Sequence, residues 1–188
     1  MSKRKILGID YGDFSIGLAI FDLETDFIFP YKTIFRAKAN VLRKSIREIV
    51  EIIKIESITD IVIGLPLNAD GTEGDRVEKV KNFAHMLENS IANGITVGAN
   101  ENIGASENVG ASENVGVSEN VGASIASPHS KGQHSEPIPI CFQDERLTTV
   151  EAKTILAERG IKKPEWKQTI DQIAAELILQ DYKQANVL

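Results

Sequence analysis

The stretch Lys5 to Ala19, KILGIDYGDFSIGLA, decides how the fold begins. An apolar run ends in the carboxylate Asp10, Gly12 allows a tight turn, and a second apolar run leads away. This pattern is typical of a β-hairpin. A carboxylate at the end of a buried strand is costly unless hydrogen-bond donors or a cation meet it. Asp10 is therefore either an acceptor for the turn that follows it or a metal ligand, and a metal ligand needs acidic partners elsewhere in the chain.

Length and composition predict one globular domain over residues 1–188. The chain is 42% hydrophobic and 26% charged, which is ordinary for a protein that buries a full core. A single cysteine cannot form an internal disulfide, and no apolar run approaches the roughly 20 residues of a membrane helix. The N-terminus passes directly into the first strand and leaves no room for a signal peptide. We therefore expect a cytoplasmic protein.

A six-residue repeat interrupts the domain from Val97, where the sequence reads VGANEN IGASEN VGASEN VGVSEN VGAS. A hexapeptide period can indicate a left-handed β-helix, but this stretch would form only about one and a half coils. Gly, Ser, Asn and Glu dominate it, so we predict that 94–137 is a disordered, low-complexity insertion. Residues 97–136 also carry most of the net charge of −6. The remaining chain is close to neutral and can still present a basic face to nucleic acid.

The rest of the chain predicts an α/β fold. Apolar periodicity indicates strands in the hairpin and at 27–35, 60–65 and 138–142, and helices at about 40–55, 75–91, 148–158 and 168–184. Thr72 or Asp75 is expected to cap the second helix. The first three strands should pair antiparallel, and the later ones should run parallel to the first because helices return the chain. The result is a mixed five-stranded sheet with helices on both faces.

This topology gathers carboxylates beyond one end of the sheet, where sites of open α/β sheets form. Asp10 ends the first strand, Asp144 and Glu145 end the last, and Asp171 lies in the first turn of the final helix. Asp171 also has a purely structural explanation, because the helix dipole favours an acid there. Ligand sets made only of oxygen favour Mg²⁺ or Mn²⁺. Two such ions about 4 Å apart can stabilise the attacking and leaving oxygens of a phosphodiester.

Four motifs together carry a family resemblance: GIDYGDFSIGLA (8–19), IVIGLPLNADGTEG (61–74), DERLTTVEA (144–152) and IDQIAAELILQDY (170–182). The chain resembles the YqgF family, Holliday-junction-resolvase-like and pre-16S rRNA nucleases with an RNase H-like fold. The resemblance implies that Asp10, the acidic residue of the DER motif and Asp171 form the metal site. Glu145 is favoured over Asp144 as the principal ligand. Many RNase H-like relatives place an acid at the end of the fourth strand, where this chain has Gly64-Leu65-Pro66, so the neighbouring strand should supply that carboxylate.

The resemblance implies a hydrolase, namely a metal-dependent endonuclease that acts on structured nucleic acid. Its catalytic residues would be Asp10, Glu145 and Asp171, with Mg²⁺ or Mn²⁺ as cofactor. Processing the 5′ end of pre-16S rRNA in ribosome biogenesis is the favoured activity. Holliday-junction resolution and a catalytically silent nucleic-acid-binding module are the alternatives.

Candidate nucleic-acid contacts are Arg146, Lys163 and Lys167, each close in sequence to a predicted site carboxylate. Arg146 could instead pair with Asp144 or Glu145 and hold the end of the strand. The sequence does not distinguish RNA from DNA as the substrate, and it does not predict the oligomeric state.

Overall fold

The structure, a computed structural model, describes residues 4–36, 42–68, 70–93, 137–145, 148–158, 160, 162 and 166–186. Within these ranges the strands are β1 (Lys5–Tyr11), β2 (Ser15–Asp22), β3 (Phe27–Phe35), β4 (Asp60–Leu65) and β5 (Ile140–Asp144). The helices are α1 (Leu42–Glu56), α2 (Asp75–Ala92), α3 (Thr148–Glu158) and α4 (Trp166–Asn186). None of the described helices combines the length and the apolar character that a membrane crossing would need.

The five strands form one sheet in the order β3-β2-β1-β4-β5. β2 pairs antiparallel with β1 and β3, whereas β4 pairs parallel with β1 and β5. The predicted fold class, a mixed five-stranded α/β sheet, is therefore confirmed. β3 is an edge strand, which accommodates Pro30 because that residue has no amide hydrogen to donate. The C-terminal ends of β1, β4 and β5 lie at the same end of the sheet, since these strands are parallel.

Large apolar side chains fill the face of the sheet that α1 and α2 cover. Alternate residues of the strands, such as Ile9, Ile16 and Ile63, pack there with Ile49 of α1 and Phe83 of α2, and all five are fully buried. The period of two along a strand and of 3.6 along a helix places these residues on facing surfaces. This face holds the larger of the buried clusters in the described part of the chain.

The other face is covered by α4, which lies very close to the strands. A Cβ built on Gly8 would lie 2.9 Å from the Ala175 carbonyl oxygen and would also meet the Leu179 side chain. A helix backbone can approach a sheet this closely only where the strand lacks a side chain. α3 packs on the outer side of α4, through the buried residues Ala152, Leu156, Ile173 and Leu177.

One sequence expectation about α2 is contradicted, and one about the insertion is not tested. The predicted side-chain cap of α2 is wrong: the N-cap is Gly74, without a side-chain hydrogen bond. Thr72 instead bonds to Asp70 and Asn68 and so stabilises the preceding loop. Almost all of the predicted insertion 94–137 lies outside the described residues, so its disorder stays a prediction. The described residues belong to one compact unit.

Candidate functional site

A glycine in β2 brings the second turn of α4 into contact with the end of β1. The expectation that Asp171 lies in the first turn is wrong, because α4 begins at Trp166, so the favourable helix-dipole position does not explain this acid. A Cβ built on Gly17 would overlap the backbone carbonyl of Asp171. Gly17 is also the cross-strand partner of Asp10, and directly paired residues of antiparallel strands project on the same face. The missing side chain at position 17 therefore lets two carboxylates that are distant in sequence become neighbours.

A second glycine makes room for the third carboxylate. A Cβ built on Gly64, near the end of β4, would overlap the Glu145 carboxylate and approach the Ile178 side chain of α4. Glu145 follows β5 directly, is only 8% exposed, and its amide donates to the Leu65 carbonyl at 3.2 Å. The carboxylate from β5 thus occupies the space over the end of β4, the neighbouring-strand position that the sequence indicated.

The charges of these carboxylates are coupled. The pKa of Asp10 is raised to about 7, chiefly by burial and then by the charge of Asp171. The pKa of Glu145 is raised to about 8, again chiefly by burial and then by Asp10, with a smaller contribution from Asp144. Burial without a cation disfavours the ionised form, and neighbouring like charges add to the effect. A proton or another cation would therefore relieve the unfavourable charge of these carboxylates.

Arg76, in the first turn of α2, supplies part of that positive charge. Its guanidinium lowers the pKa of Asp10, of Glu145 and of the turn residue Asp13. Lys79, one helical turn later, donates to Asp13 Oδ1 at 2.9 Å and ties α2 to the β1–β2 turn. Residues three apart lie on the same side of a helix. Both cations are exposed, and of the two it is Arg76 whose charge acts on Asp10 and Glu145.

The β1–β2 turn is held by a buried arginine. Arg36 is 6% exposed, and its guanidinium donates to the Gly12 carbonyl and, at 3.2 Å, to the Tyr11 hydroxyl. It also lies 4.7 Å from the centre of the Tyr11 ring, a cation–π geometry. The Gly12 amide closes the turn by donating to the Ser15 carbonyl at 3.0 Å. The turn therefore has its own hydrogen bonds, which removes the main structural explanation for the Asp10 carboxylate.

Asp144 has different neighbours. Besides raising the pKa of Glu145, it contributes with Glu151 to a raised pKa of Asp181, for which burial is the largest cause. The charge of Asp144 therefore acts both on Glu145 and on Asp181, in the C-terminal part of α4. In the described part of the chain, no three His, Cys, Asp or Glu side chains are drawn together closely enough to hold a metal ion as they stand. The carboxylates influence one another's charge without forming a finished coordination shell.

The predicted nucleic-acid contacts fall largely beyond what the structure describes. Arg146 and Lys163 lie outside the described residues. Lys167 belongs to the first turn of α4, and its side chain is not described. These three assignments remain predictions.

Sequence reasoning missed Gly8, Gly17 and the cation Arg76. Gly8 and Gly17 each lie inside a strand, and a glycine there commonly marks a close approach of another backbone. Arg76 carried a weaker signal: a cation in the first turn of a helix opposes the helix dipole, so it is favoured there only by something outside the helix. Arg36 could not be anticipated, because nothing local distinguishes it from a solvated residue at a strand end.

Oxygen-only donors in a partly buried, cation-seeking cluster suit a hard divalent ion better than a soft one. Such a site can polarise a phosphodiester and activate water for its hydrolysis. Asp10, Glu145 and Asp171 come from β1, the end of β5 and α4, so their proximity depends on tertiary structure and is not explained by local capping alone.

Comparison with known proteins gives a consistent result. A family model described as "RuvX: Holliday junction resolvase" matches residues 4–124 and 109–185. A protein of Carboxydothermus hydrogenoformans is 32% identical over 178 residues, which cover 95% of this chain and 94% of the relative. One from Lachnospira eligens is 29% identical over 181 residues, with 96% and 97% covered. Both relatives carry the name "Putative pre-16S rRNA nuclease".

A structural likeness extends to Thermus thermophilus RuvC in complex with a Holliday junction substrate. The TM-score is 0.48 at 9% identity, over 97% of this chain and 96% of the other. A likeness of this degree does not bear on function. Because the family model matches most of the sequence and the relatives align over nearly their whole length, this chain belongs to the RuvX family.

Proposed function

We propose that this protein is a metal-dependent endonuclease that hydrolyses phosphodiester bonds of structured nucleic acid in the cytoplasm. Its favoured substrate is pre-16S rRNA, because two relatives carry that substrate in their names. We place the cut at the 5′ end of this RNA, as the motif resemblance implies. Branched DNA is the second candidate, because the family description names a Holliday junction resolvase. The observation that carries the proposal is the coupling of Asp10 with Asp171 and Glu145 at the end of the sheet.

Asp10, Glu145 and Asp171 would hold Mg²⁺ or Mn²⁺, with Asp144 as a further candidate ligand. A divalent ion bound there supplies charge stabilisation for the phosphodiester and lowers the pKa of water. Glu145 is the stronger candidate for the middle position, because its pKa responds to Asp10 whereas Asp144 is shared with Asp181. Arg76 is exposed and its charge acts on Asp10 and Glu145, so its guanidinium is a candidate partner for a phosphate oxygen of the substrate.

The decisive experiment is cleavage by purified Asp10→Asn protein. A labelled pre-16S rRNA fragment and a four-way DNA junction are incubated with Mg²⁺ or with EDTA. We expect the wild type to cut one of them only with metal and Asp10→Asn to lose cleavage, because a charged ligand is replaced by a neutral amide. Asp13→Asn is the matched control: it changes an exposed acid three residues further on, outside the cluster, and should retain cleavage.

A thermal shift gives a readout that does not depend on activity. Mg²⁺ should raise the Tm of the wild type, because a ligand that binds only the native state stabilises it. The rise in Tm should be much smaller for Asp10→Asn, and for Asp13→Asn it should equal that of the wild type. If Asp10, Glu145 and Asp171 can each be neutralised without loss of cleavage, the proposed site is wrong and the binding-module alternative takes its place.

We further propose that Lys163, Lys167 and Arg146 bind phosphates of the substrate. Reversing the charge of Lys163 and Lys167 should weaken binding and flatten its dependence on salt, since fewer counterions are then released. The matched control is charge reversal of Arg43 and Arg47, which line a groove of about 480 Å³ between α1 and α2. If only that second pair matters, nucleic acid binds on the α1 surface instead.

A further inference from the structure

A buried cation without an acidic partner lies beside the turn that follows Asp10. Arg36, the residue after β3, is buried, and no acidic side chain of the described residues forms an ion pair with it. Its guanidinium donates to the Gly12 carbonyl and the Tyr11 hydroxyl, and its buried Nε meets no acceptor in the described part of the chain. Neutral partners repay little of the cost of removing a guanidinium from water. Stability by itself therefore does not explain a cation at this position.

The contacts of Arg36 converge on the two residues that follow Asp10 in the chain. The Tyr11 hydroxyl accepts a hydrogen bond from Arg36 at 3.2 Å, and the centre of the Tyr11 ring lies 4.7 Å from the guanidinium carbon. The same ring stacks on Phe83 of α2, with 4.5 Å between the ring centres. Gly12 is held through its carbonyl oxygen. The end of β1 is therefore anchored both from the end of β3 and from α2.

Anchoring Tyr11 also fixes the direction in which Asp10 leaves the strand. Consecutive residues of a strand project to opposite faces of the sheet. Tyr11 packs against the large core cluster under α1 and α2, whereas Asp10 pairs with Gly17 and projects on the face that Asp171 approaches. A rotation of the end of β1 would turn both side chains together, so a constraint on Tyr11 is also a constraint on Asp10.

We propose that Arg36 is a positioning residue, which anchors the β1–β2 turn and so holds the Asp10 carboxylate in the direction needed to share a divalent ion with the other carboxylates of the proposed site. This inference rests on the proposed function. Arg36 acts through the backbone and not through its charge, because the cation that lowers the pKa of Asp10 is Arg76. A guanidinium suits this role, since its rigid fork can donate to two acceptors at once.

The test separates positioning from stability through two substitutions of Arg36. Arg36→Met keeps an unbranched stem and removes the guanidinium, whereas Arg36→Lys keeps the charge without the fork. Arg4→Met is the matched control, because Arg4 is an exposed arginine that pairs with Asp60 at 3.1 Å, beside the start of β1 and away from the turn.

Four quantities are measured on each purified protein. These are the Tm in EDTA, the Mg²⁺ affinity by titration calorimetry, the hydrogen exchange of the Gly12 amide, and kcat and KM for cleavage in Mg²⁺. The Gly12 amide reports on the turn directly, because it donates to the Ser15 carbonyl at 3.0 Å.

We expect the Tm of Arg36→Met to stay within about 3 °C of the wild type or to rise, because a costly buried charge is removed and the half-buried Tyr11 and Gly12 can be hydrated. Its Mg²⁺ affinity should fall about 10- to 100-fold, as when the support of a metal ligand is lost. Its Gly12 amide should exchange faster, and kcat should fall more than KM rises. Arg36→Lys should show the same losses, and Arg4→Met should match the wild type in Mg²⁺ affinity and kcat.

Other results would overturn the positioning role. If the Tm of Arg36→Met falls below the expected range, Arg36 serves the stability of the fold instead. If Arg36→Met binds Mg²⁺ as the wild type does, the positioning role is wrong and the nuclease proposal is unaffected. If Arg36→Lys keeps the wild-type Mg²⁺ affinity, the charge matters and not the anchored turn. If the wild type neither binds Mg²⁺ nor cleaves nucleic acid, the proposed function itself fails and the positioning role fails with it.

Discussion

The two faces of the central sheet are packed in opposite ways, although they belong to the same strands. Under α1 and α2, residues such as Ile9 and Ile63 meet large side chains, including the fully buried Phe83. Under α4, Gly8 and Gly17 let the helix backbone approach the strands, and Gly64 leaves space for the Glu145 carboxylate. The first face contributes buried apolar area, and the second allows α4 to lie close to the strands. The candidate carboxylates depend on the second face, because only there can groups from three elements approach one another.

The largest expected loss of protein stability comes from a substitution on the first face. Phe83→Ala removes a fully buried ring that stacks on Tyr11 at 4.5 Å between ring centres. We expect it to lower the free energy of unfolding by about 3–5 kcal/mol. Denaturant titration checks this, with Phe142→Ala as the control, since that ring is 43% exposed. Equal losses in both variants would contradict the assignment of this face as the main core.

A smaller but more informative effect is expected on the second face. Gly17→Ala adds one methyl group that meets the Asp171 backbone, so the start of α4 must shift. We expect a loss of about 1–3 kcal/mol together with loss of Mg²⁺-induced stabilisation, because Asp171 is displaced from Asp10. Gly12→Ala is the control: its new methyl group lies 3.1 Å from the Ser15 carbonyl oxygen, a contact that a small shift relieves. Wild-type metal response in Gly17→Ala would show that the close approach is not needed.

Unlike these two substitutions, neutralising a site carboxylate should raise the stability of the protein near neutral pH. The folded-state pKa of Asp10 is about 7, above its ordinary value, so the folded state binds a proton more tightly than the unfolded state. Its unfavourable contribution is absent below about pH 4, grows as the pH rises, and is complete above about pH 7. In EDTA, wild type should therefore lose Tm between pH 5 and pH 8 more steeply than Asp10→Asn. The variant should be at least as stable at pH 8.

If Asp10→Asn instead unfolds the protein at every pH, Asp10 is a structural anchor of the turn and not a site residue. Asp13→Asn serves as the control for this series. The pKa of Asp13 is lowered, first by the hydrogen bond from Lys79, so its loss should not flatten the decline of Tm with pH.

Removing the insertion is expected to have the smallest effect, because its loss should leave the packing on both faces of the sheet unchanged. Replacing residues 96–136 with a short Gly-Ser link alters only the length of one connection, and each doubling of a loop costs about 0.6 kcal/mol. The Tm should stay within a few degrees, as measured by calorimetry. A loss of cooperative unfolding would show that the repeats stabilise the sheet.

Most of the fold could be predicted from local pattern. The boundaries of β3 and β4 agree with the prediction, and the helices agree within about two residues at each end. Periodicity and turn residues act over a few positions, so one sequence suffices to read them. The predicted cap of α2 failed because Thr72 had competing partners in its own loop. Such competition depends on the loop conformation and is not visible in residue order.

The sequence by itself determined the order of elements, the mixed sheet and the end of the sheet at which Asp10, Glu145 and Asp171 lie. Only the tertiary structure decided that Glu145 lies over Gly64, that Asp171 approaches Gly17, and that Arg76 lies near the cluster. The reason is that residues far apart in sequence meet only through the packing distance of α4 and α2 on the sheet. That distance depends on the sizes of the side chains on the two facing elements. The residue pattern along one segment does not show which side chains it will face.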